Sequence, residues 1–181
     1  MQNLLSSAGA VIWFTGLPSS GKTTLAFHLK ERLERKGLPI YLLDGDQLRA
    51  GLNSDLGFSE KDRSENIRRA AEVAKLFADA GQVVLATFIS PYEADRENAL
   101  NIIGPERFFL LFVDCELTVC EARDVKGLYK KARRGELKQF TGIDAPYERP
   151  LHPDQIINTS ALSLEECVAQ LEISILARLN S

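Results

Sequence analysis

The sequence has few of the residues that build metal centres or disulfide frameworks. It contains two histidines and three cysteines among 181 residues, and no two cysteines have the C-x-x-C spacing. A zinc site is therefore not expected. We interpret Cys115, Cys120 and Cys167 as small buried hydrophobic side chains in a reducing compartment, and we expect a cytoplasmic protein.

Long apolar runs and an excess of basic charge are also lacking. No run approaches the ~20 residues that cross a membrane, and residues 1–7 lack the basic and apolar regions of a signal peptide. The net charge of −3 gives no sign of nucleic-acid binding. A hydrophobic content of 45% is typical of a globular protein. We therefore expect one domain over residues 1–181 that binds small molecules, with neither nucleic acid nor membrane as a partner.

The most informative stretch is the glycine-rich segment that begins at Gly16. It fits G-x-x-x-x-G-K-[ST], a phosphate-binding loop, and it lies between an apolar run and leucines spaced for a helix. That context argues against a fortuitous glycine turn. In such a loop backbone N–H groups surround phosphate oxygens, Lys22 reaches the β- and γ-phosphates, and Thr23 ligates Mg²⁺. The predicted nucleotide-binding residues are Gly16, Leu17, Pro18, Ser19, Ser20, Gly21, Lys22, Thr23 and Thr24.

Apolar runs alternate with helical periodicity along the chain. Strands are predicted at residues 10–15, 40–43, 83–89, 108–113 and 155–158, and helices after the phosphate loop, at residues 64–80 and 91–103, and after Ser163. Residues 47–63 are predicted as a polar connection. The alternation predicts an α/β fold: a P-loop kinase-like three-layer sandwich, with a five-stranded parallel sheet covered by helices on both faces.

Two aspartates follow the second predicted strand, where the carboxyl ends of parallel strands gather ligands. We predict that Asp44 holds Mg²⁺ and that Asp46 accepts the proton of an attacking hydroxyl. If the strand geometry continues past Asp44, both side chains point to the same sheet face. The alternative is an acidic turn in which Gly45 supplies a positive φ.

Two further segments carry basic charge. Residues 49–69 combine arginines suited to a second anion with Phe58, which could stack on a base. The alternative for Arg68 and Arg69 is that they are solvated charges on a helix. Residues 125–143, which we call the lid, carry six basic residues against the single acid Glu136. They are expected to close over phosphates. The alternative for the lid is a solvated basic helix.

Blocks of residues along almost the whole chain resemble the adenylylsulfate kinase (APS kinase) family. These blocks are the phosphate loop, residues 44–49, 55–69, 88–92, 120–133, 140–143 and 146–148, and they occur in the family's order. The resemblance implies a sulfate-activating transferase that converts ATP and adenosine 5′-phosphosulfate (APS) to ADP and 3′-phosphoadenosine 5′-phosphosulfate (PAPS). It also implies Mg²⁺, a homodimer, and ATP contacts from Arg123.

The resemblance further implies an acceptor site. Asp46 would handle the ribose 3′-hydroxyl and Phe58 would pack on the APS adenine. The implied APS-binding residues are Asp46, Arg49, Phe58, Arg63, Asn66, Ile89, Ser90, Lys126 and Phe140. We expect Ser90 to orient the substrate, because in-line transfer needs no covalent step. The alternative implied by the family is a phosphoserine intermediate at Ser90.

The sequence departs from the family pattern at a few positions. Ser19 and Gln139 stand where the family commonly has glycine, Pro18 where it has serine or threonine, and Gln47 where it has asparagine. No cysteine precedes Cys115, so an N-terminal regulatory disulfide is not expected, and the length leaves no room for a fused sulfurylase. Three alternatives remain: a GTPase-like switch, a binding-only kinase domain, and a kinase for another alcohol such as gluconate. The sequence contains no N-K-x-D guanine motif, which argues against the GTPase-like switch.

Overall fold

A computed structural model describes residues 9–180, and the expectations for the N-terminal segment lie outside the described residues. Its centre is a parallel five-stranded sheet in the order β2-β3-β1-β4-β5. The strands are β1 (Ala10–Thr15), β2 (Ile40–Asp44), β3 (Val83–Thr87), β4 (Phe108–Asp114) and β5 (Gln155–Asn158). The five predicted strands are confirmed; β1 and β5 have the predicted bounds, and the carboxyl ends of the other three differ by one or two residues.

Helices connect the strands and cover both faces of the sheet. They are α1 (Lys22–Glu34), α2 (Gly45–Ala50), α3 (Glu60–Asp79), α4 (Glu93–Ile103), α5 (Leu117–Arg123), α6 (Leu128–Arg133) and α7 (Leu164–Leu179). Alternate strand residues pack against α1 and α7 on one face and against α3 and α4 on the other. The three-layer α/β prediction is confirmed. Within residues 9–180, no helix has the length and apolarity that crossing a bilayer requires.

Two predicted helix starts are wrong for local reasons. α3 begins at Glu60 rather than at residue 64, because the Ser59 hydroxyl accepts a hydrogen bond from the backbone N–H of Asp62 and caps the helix there. α4 begins at Glu93 rather than at Pro91. The Glu148 carboxylate accepts a hydrogen bond from the backbone N–H of Glu93 at 2.6 Å and so caps α4 from a distant segment.

The prediction that strand geometry continues past Asp44 is also wrong. Asp44 is the N-cap of α2, and its Oδ1 accepts a hydrogen bond from the Asp46 backbone N–H at 2.9 Å. The chain therefore turns into a helix at Gly45, and residues 47–50 of this helix fall within the predicted polar connection. Gly45 is needed for space and not for a positive φ, because an added Cβ would lie 3.1 Å from the Phe88 ring and 3.2 Å from the Thr87 carbonyl oxygen.

Candidate active site

The phosphate loop joins the carboxyl end of β1 to the first residue of α1. Gly16 and Gly21 have positive φ values of 152° and 102°, and a Cβ on Gly16 would lie 2.5 Å from the Val113 carbonyl oxygen. The Lys22 ammonium donates hydrogen bonds to the carbonyl oxygens of Gly16 at 2.8 Å and Leu17 at 2.7 Å. It is thus folded back across its own loop. Burial lowers the pKa of Lys22 to about 8, against the opposing effect of nearby acidic groups.

Oxygen ligands suited to Mg²⁺ converge next to this loop. Thr23 Oγ1 donates a hydrogen bond to Asp44 Oδ2 at 3.0 Å, and Thr87 Oγ1 donates to the same carboxylate oxygen at 2.9 Å. Hydroxyl and carboxylate oxygens suit a hard cation that keeps several waters. Among the described residues, no group of three or more His, Cys, Asp or Glu side chains could hold a metal by itself. A hydroxyl and one carboxylate beside a phosphate loop therefore fit Mg²⁺ held jointly with nucleotide phosphates.

Asp46 projects from the first turn of α2 and contacts the lid. Its carboxylate forms an ion pair with the Lys126 ammonium, and both side chains are more than half exposed. The structure thus gives the two aspartates separate partners: Asp44 meets Thr23, and Asp46 meets the lid. Such an exposed ion pair adds little to stability, so it can exchange for a substrate at low cost.

Arg49, Phe58 and Arg63, which the family resemblance assigns to the acceptor site, form one cluster. The Arg49 guanidinium carbon lies 4.5 Å from the centre of the Phe58 ring, which is 55% exposed. Arg63 is buried and donates hydrogen bonds to the Gln139 carbonyl oxygen at 2.5 Å and to Thr141 Oγ1 at 3.1 Å. Arg63 therefore links α3 to the end of the lid. Phe140 is buried there with its ring edge-on to Tyr129.

Asn66 is oriented by a residue that the sequence analysis missed. Asn53 is fully buried and donates a hydrogen bond from Nδ2 to Asn66 Oδ1 at 3.0 Å. That bond occupies the Asn66 carbonyl and leaves its amide N–H groups for other acceptors. The two residues are 13 positions apart, on a turn and a helix. No sequence spacing indicates such a pair, and only the family block that begins at Asp55 lies close to Asn53.

Ser90 lies at the carboxyl end of β3 in a left-handed backbone conformation, with φ of 38°. Its side chain is buried, and Oγ accepts a hydrogen bond from the Trp13 indole N–H at 3.2 Å. The preceding residue, Ile89, is held by its carbonyl oxygen, which accepts a hydrogen bond from Thr15 Oγ1 at 2.7 Å. Ile89 and Ser90, both predicted to bind the phosphoryl acceptor, are therefore held to β1. Ser90 is held through its side chain and Ile89 through its backbone carbonyl group.

Arg123 supports the phosphate loop from the other side. Its guanidinium donates hydrogen bonds to the Ser20 carbonyl oxygen at 3.3 Å and to the Thr159 carbonyl oxygen at 2.6 Å. Thr159 Oγ1 also donates to the Ser20 carbonyl oxygen, at 2.8 Å. Arg123 is exposed and lies beside the loop predicted to bind ATP. Its predicted contact with the nucleotide stays a prediction.

Comparisons with known proteins agree with this geometry. The adenylylsulphate kinase family model matches residues 8–158. The chain is 61% identical over 158 residues to the adenylyl-sulfate kinase of Geotalea daltonii, covering 87% of this chain and 78% of that protein. It is also similar to the solved Mycobacterium tuberculosis APS kinase in complex with AMPPNP and APS, with a TM-score of 0.90 and 46% identity, covering 94% of this chain and 98% of that one.

A solved gluconokinase from Sinorhizobium meliloti provides a contrast. It covers 96% of this chain with a TM-score of 0.58 but is 17% identical to it. A likeness at that identity shows the shared P-loop kinase fold alone. Both the family match and the high identities point instead to the adenylylsulfate kinases.

Proposed function

The chain belongs to the adenylylsulfate kinase family and phosphorylates APS with ATP to give PAPS, and we propose which of its residues carry the transfer. The observation that carries the proposal is the placement of two carboxylates. Asp44 contacts Thr23 beside the phosphate loop, and Asp46 contacts Lys126 of the lid. One acid thus belongs to the phosphoryl donor side of the site and the other to the acceptor side.

On the donor side, the phosphate loop holds ATP. The buried Lys22 ammonium neutralises charge on the β- and γ-phosphates as the bond to the leaving group breaks. Thr23 would ligate Mg²⁺, and Asp44 would hold it through its water shell, with Thr87 orienting the Asp44 carboxylate. Mg²⁺ held there would supply positive charge that stabilises the phosphates during transfer. Arg123 holds the loop from the side of Thr159.

On the acceptor side, Asp46 exchanges Lys126 for the ribose of APS. Its carboxylate accepts the proton of the 3′-hydroxyl as that oxygen attacks the γ-phosphorus, and the bond to ADP breaks. Lys126, Arg49 and Arg63 supply positive charge for the phosphosulfate. Phe58 presents an exposed ring to the adenine, and Phe140 closes the site from the lid. Asn66, Ile89 and Ser90 fix the orientation of the substrate.

We assign the lid to residues 125–143 of a single kinase domain over residues 1–181. Two contacts support this: Lys126 with Asp46 at the start of the lid, and Arg63 with Gln139 at its end. Tyr129, which is buried and donates a hydrogen bond to the Pro18 carbonyl oxygen at 3.0 Å, anchors α6 to the phosphate loop. This contact argues against a merely solvated basic helix.

The assembly and compartment are further parts of the proposal. We propose a homodimer, which is supported by the family resemblance and is tested by sedimentation of the purified chain. We propose a cytoplasmic location, supported by three buried cysteines that form no disulfide. An in-cell fluorescent fusion tests that location.

The test of the proposed function is ADP release measured with several acceptors. APS, gluconate and nucleoside monophosphates are supplied separately with ATP and Mg²⁺, to the wild-type protein and to Lys22→Ala as a matched control. We expect the wild-type protein to release ADP with APS and with neither of the other acceptors, and we expect Lys22→Ala to lose this activity. Turnover with gluconate but not APS would favour a sugar kinase, and nucleotide binding without turnover would favour a binding-only domain.

A further inference from the structure

Arg96 of α4 is an almost fully buried arginine with a partner in each of three segments. Its side chain is 1% exposed. Nη1 donates a hydrogen bond to the Ser90 carbonyl oxygen at 2.5 Å, and Nη2 donates to the Glu148 carbonyl oxygen at 2.8 Å. Nη2 also forms an ion pair with the Glu93 carboxylate. One guanidinium therefore joins the end of β3, the start of α4 and the segment that follows the lid.

The turn that Arg96 holds is strained and is fixed at three successive carbonyl groups. Ser90 has a φ of 38°, which is unfavourable for a non-glycine residue and persists only where the surroundings impose it. Arg96 binds the Ser90 carbonyl oxygen, and Thr15 binds the Ile89 carbonyl oxygen. The Pro91 carbonyl oxygen accepts a hydrogen bond from the Glu148 backbone N–H at 2.8 Å. These contacts leave the turn little freedom.

An arginine is required for this arrangement. Its planar fork presents separate N–H groups to two carbonyl oxygens and a carboxylate, which the single ammonium of lysine cannot reach in the same geometry. Burying an unpaired guanidinium is strongly unfavourable, so Glu93 is needed as its countercharge. Glu93 thus neutralises the arginine, whereas the contact with the Ser90 carbonyl shapes the turn.

We propose that Arg96 is a positioning residue for the phosphoryl acceptor. It holds Ile89 and Ser90 in the conformation that binds APS, and it ties that turn to Glu148 at the exit of the lid. The inference rests on the proposed role of Ile89 and Ser90 in the APS site. It predicts that loss of the Arg96 side chain impairs the use of APS and leaves ATP binding at the phosphate loop unaffected.

The test compares Arg96→Gln with Glu93→Gln. Both variants remove the ion pair, but only the first removes the bond to Ser90. We expect Arg96→Gln to raise the KM for APS and lower kcat/KM by about tenfold or more, the loss expected for a hydrogen bond from a charged group. The dissociation constant for ATP should stay within about twofold, and Glu93→Gln should lower thermal stability while keeping the KM for APS. Arg107→Gln, which removes an exposed ion pair with Asp79, is the control.

Several results would overturn the proposal. They are a KM for APS in Arg96→Gln within about twofold of wild type, a parallel loss of ATP binding, or the same KM change in Glu93→Gln. If Arg96→Gln does not fold, Thr15→Val removes the hydrogen bonds of Thr15 Oγ1 with the Ile89 carbonyl oxygen and the Tyr147 hydroxyl, with little change in shape. It should raise the KM for APS with ATP binding intact, and an unchanged KM would then count against the proposal. Absence of turnover with APS in the wild type would instead refute the proposed function.

Discussion

The Thr23 hydroxyl donates a hydrogen bond to the Asp44 carboxylate, with Oγ1 and Oδ2 3.0 Å apart. Two residues further along, Asp46 pairs with Lys126 of the lid. The start of a helix at Gly45 is what separates the two acids, since a continuing strand would have kept them on one face. Neighbouring carboxylates in one short segment therefore have different partners, and their removal should have different consequences.

The two aspartates are distinguished by their dependence on Mg²⁺. Asp46→Asn keeps the size of the side chain and loses the proton acceptor, so kcat should fall by roughly 10²–10⁴-fold with little change in the KM for APS. Asp44→Asn should weaken the response to Mg²⁺, so that raising the metal concentration restores part of the rate. Steady-state rates over a Mg²⁺ titration measure both. Rescue of Asp46→Asn, and not of Asp44→Asn, would mean that the roles are reversed.

Lys22 should take up a proton when ATP binds near pH 8. Burial lowers its pKa to about 8, and the phosphates of ATP raise it again because they favour the charged form. At pH 8 binding should take up about half a proton, and the uptake should fade towards neutral pH, where Lys22 is already charged. Calorimetry in buffers of different ionisation enthalpy, with MgATP and no acceptor, measures the uptake.

The control for this proton uptake is Lys22→Arg, whose guanidinium stays charged and should take up no proton. Equal uptake in both proteins would place the titrating group elsewhere. The same pKa gives a stability effect of defined sign. Because folded Lys22 binds fewer protons than unfolded Lys22 between pH 8 and about 10.5, its own contribution to the free energy of unfolding of the ATP-free protein should rise with pH across that window, measured as the difference between wild type and Lys22→Arg.

Ser90 should act without becoming phosphorylated. Ser90→Ala removes the acceptor for the Trp13 indole N–H, so we expect a loss of about 1–3 kcal/mol in the free energy of unfolding but measurable PAPS formation. No label should be retained on the wild-type protein from γ-labelled ATP alone. Ser54→Ala, at an exposed turn, is the control for stability. Stoichiometric label on Ser90 that passes to APS would establish a phosphoserine intermediate instead.

Ser19→Gly should stabilise the protein. Ser19 stands where the family commonly has glycine, and it holds a positive φ of 59°. A left-handed conformation costs a non-glycine residue about 1–2 kcal/mol, of which the greater flexibility of glycine in the unfolded chain offsets about 0.5–1 kcal/mol. We expect a net gain of about 0.5–1 kcal/mol by denaturant unfolding. Ser54→Gly, where φ is not positive, should destabilise. A lower free energy of unfolding in Ser19→Gly would mean that the backbone of Ser19 is not strained.

The sequence predicted the elements whose signals are local. The apolar run of β1, the glycines of the loop and the leucines of α1 are contiguous, so the strand–loop–helix unit at Gly16 follows from neighbouring residues alone. The start of α4 was misplaced because its cap, the Glu148 carboxylate, comes from 55 residues away. The short α2 was missed since its first residue is a glycine, which disfavours helix.

The same distinction holds for the site. Lys22, Thr23 and both aspartates could be proposed as site residues because each lies within a few residues of a recognisable strand end or motif. The residues that orient the side chains of the candidate site are distant in sequence. Thr87 binds Asp44 from 43 residues away, and Trp13 binds Ser90 from 77 residues away. Such pairs are set by the register of parallel strands, which no single segment of sequence contains.

This enzyme transfers the γ-phosphoryl group of ATP to the 3′-hydroxyl of APS. The most direct test compares ADP release and product mass for APS and for its 3′-deoxy analogue, under the same concentrations of enzyme, ATP and Mg²⁺. We predict that APS gives one ADP for each PAPS formed, and that the 3′-deoxy analogue competes with APS but gives no phosphorylated product. Phosphorylation of the 3′-deoxy analogue, or ADP release in the presence of APS without formation of PAPS, would contradict transfer to the 3′-hydroxyl.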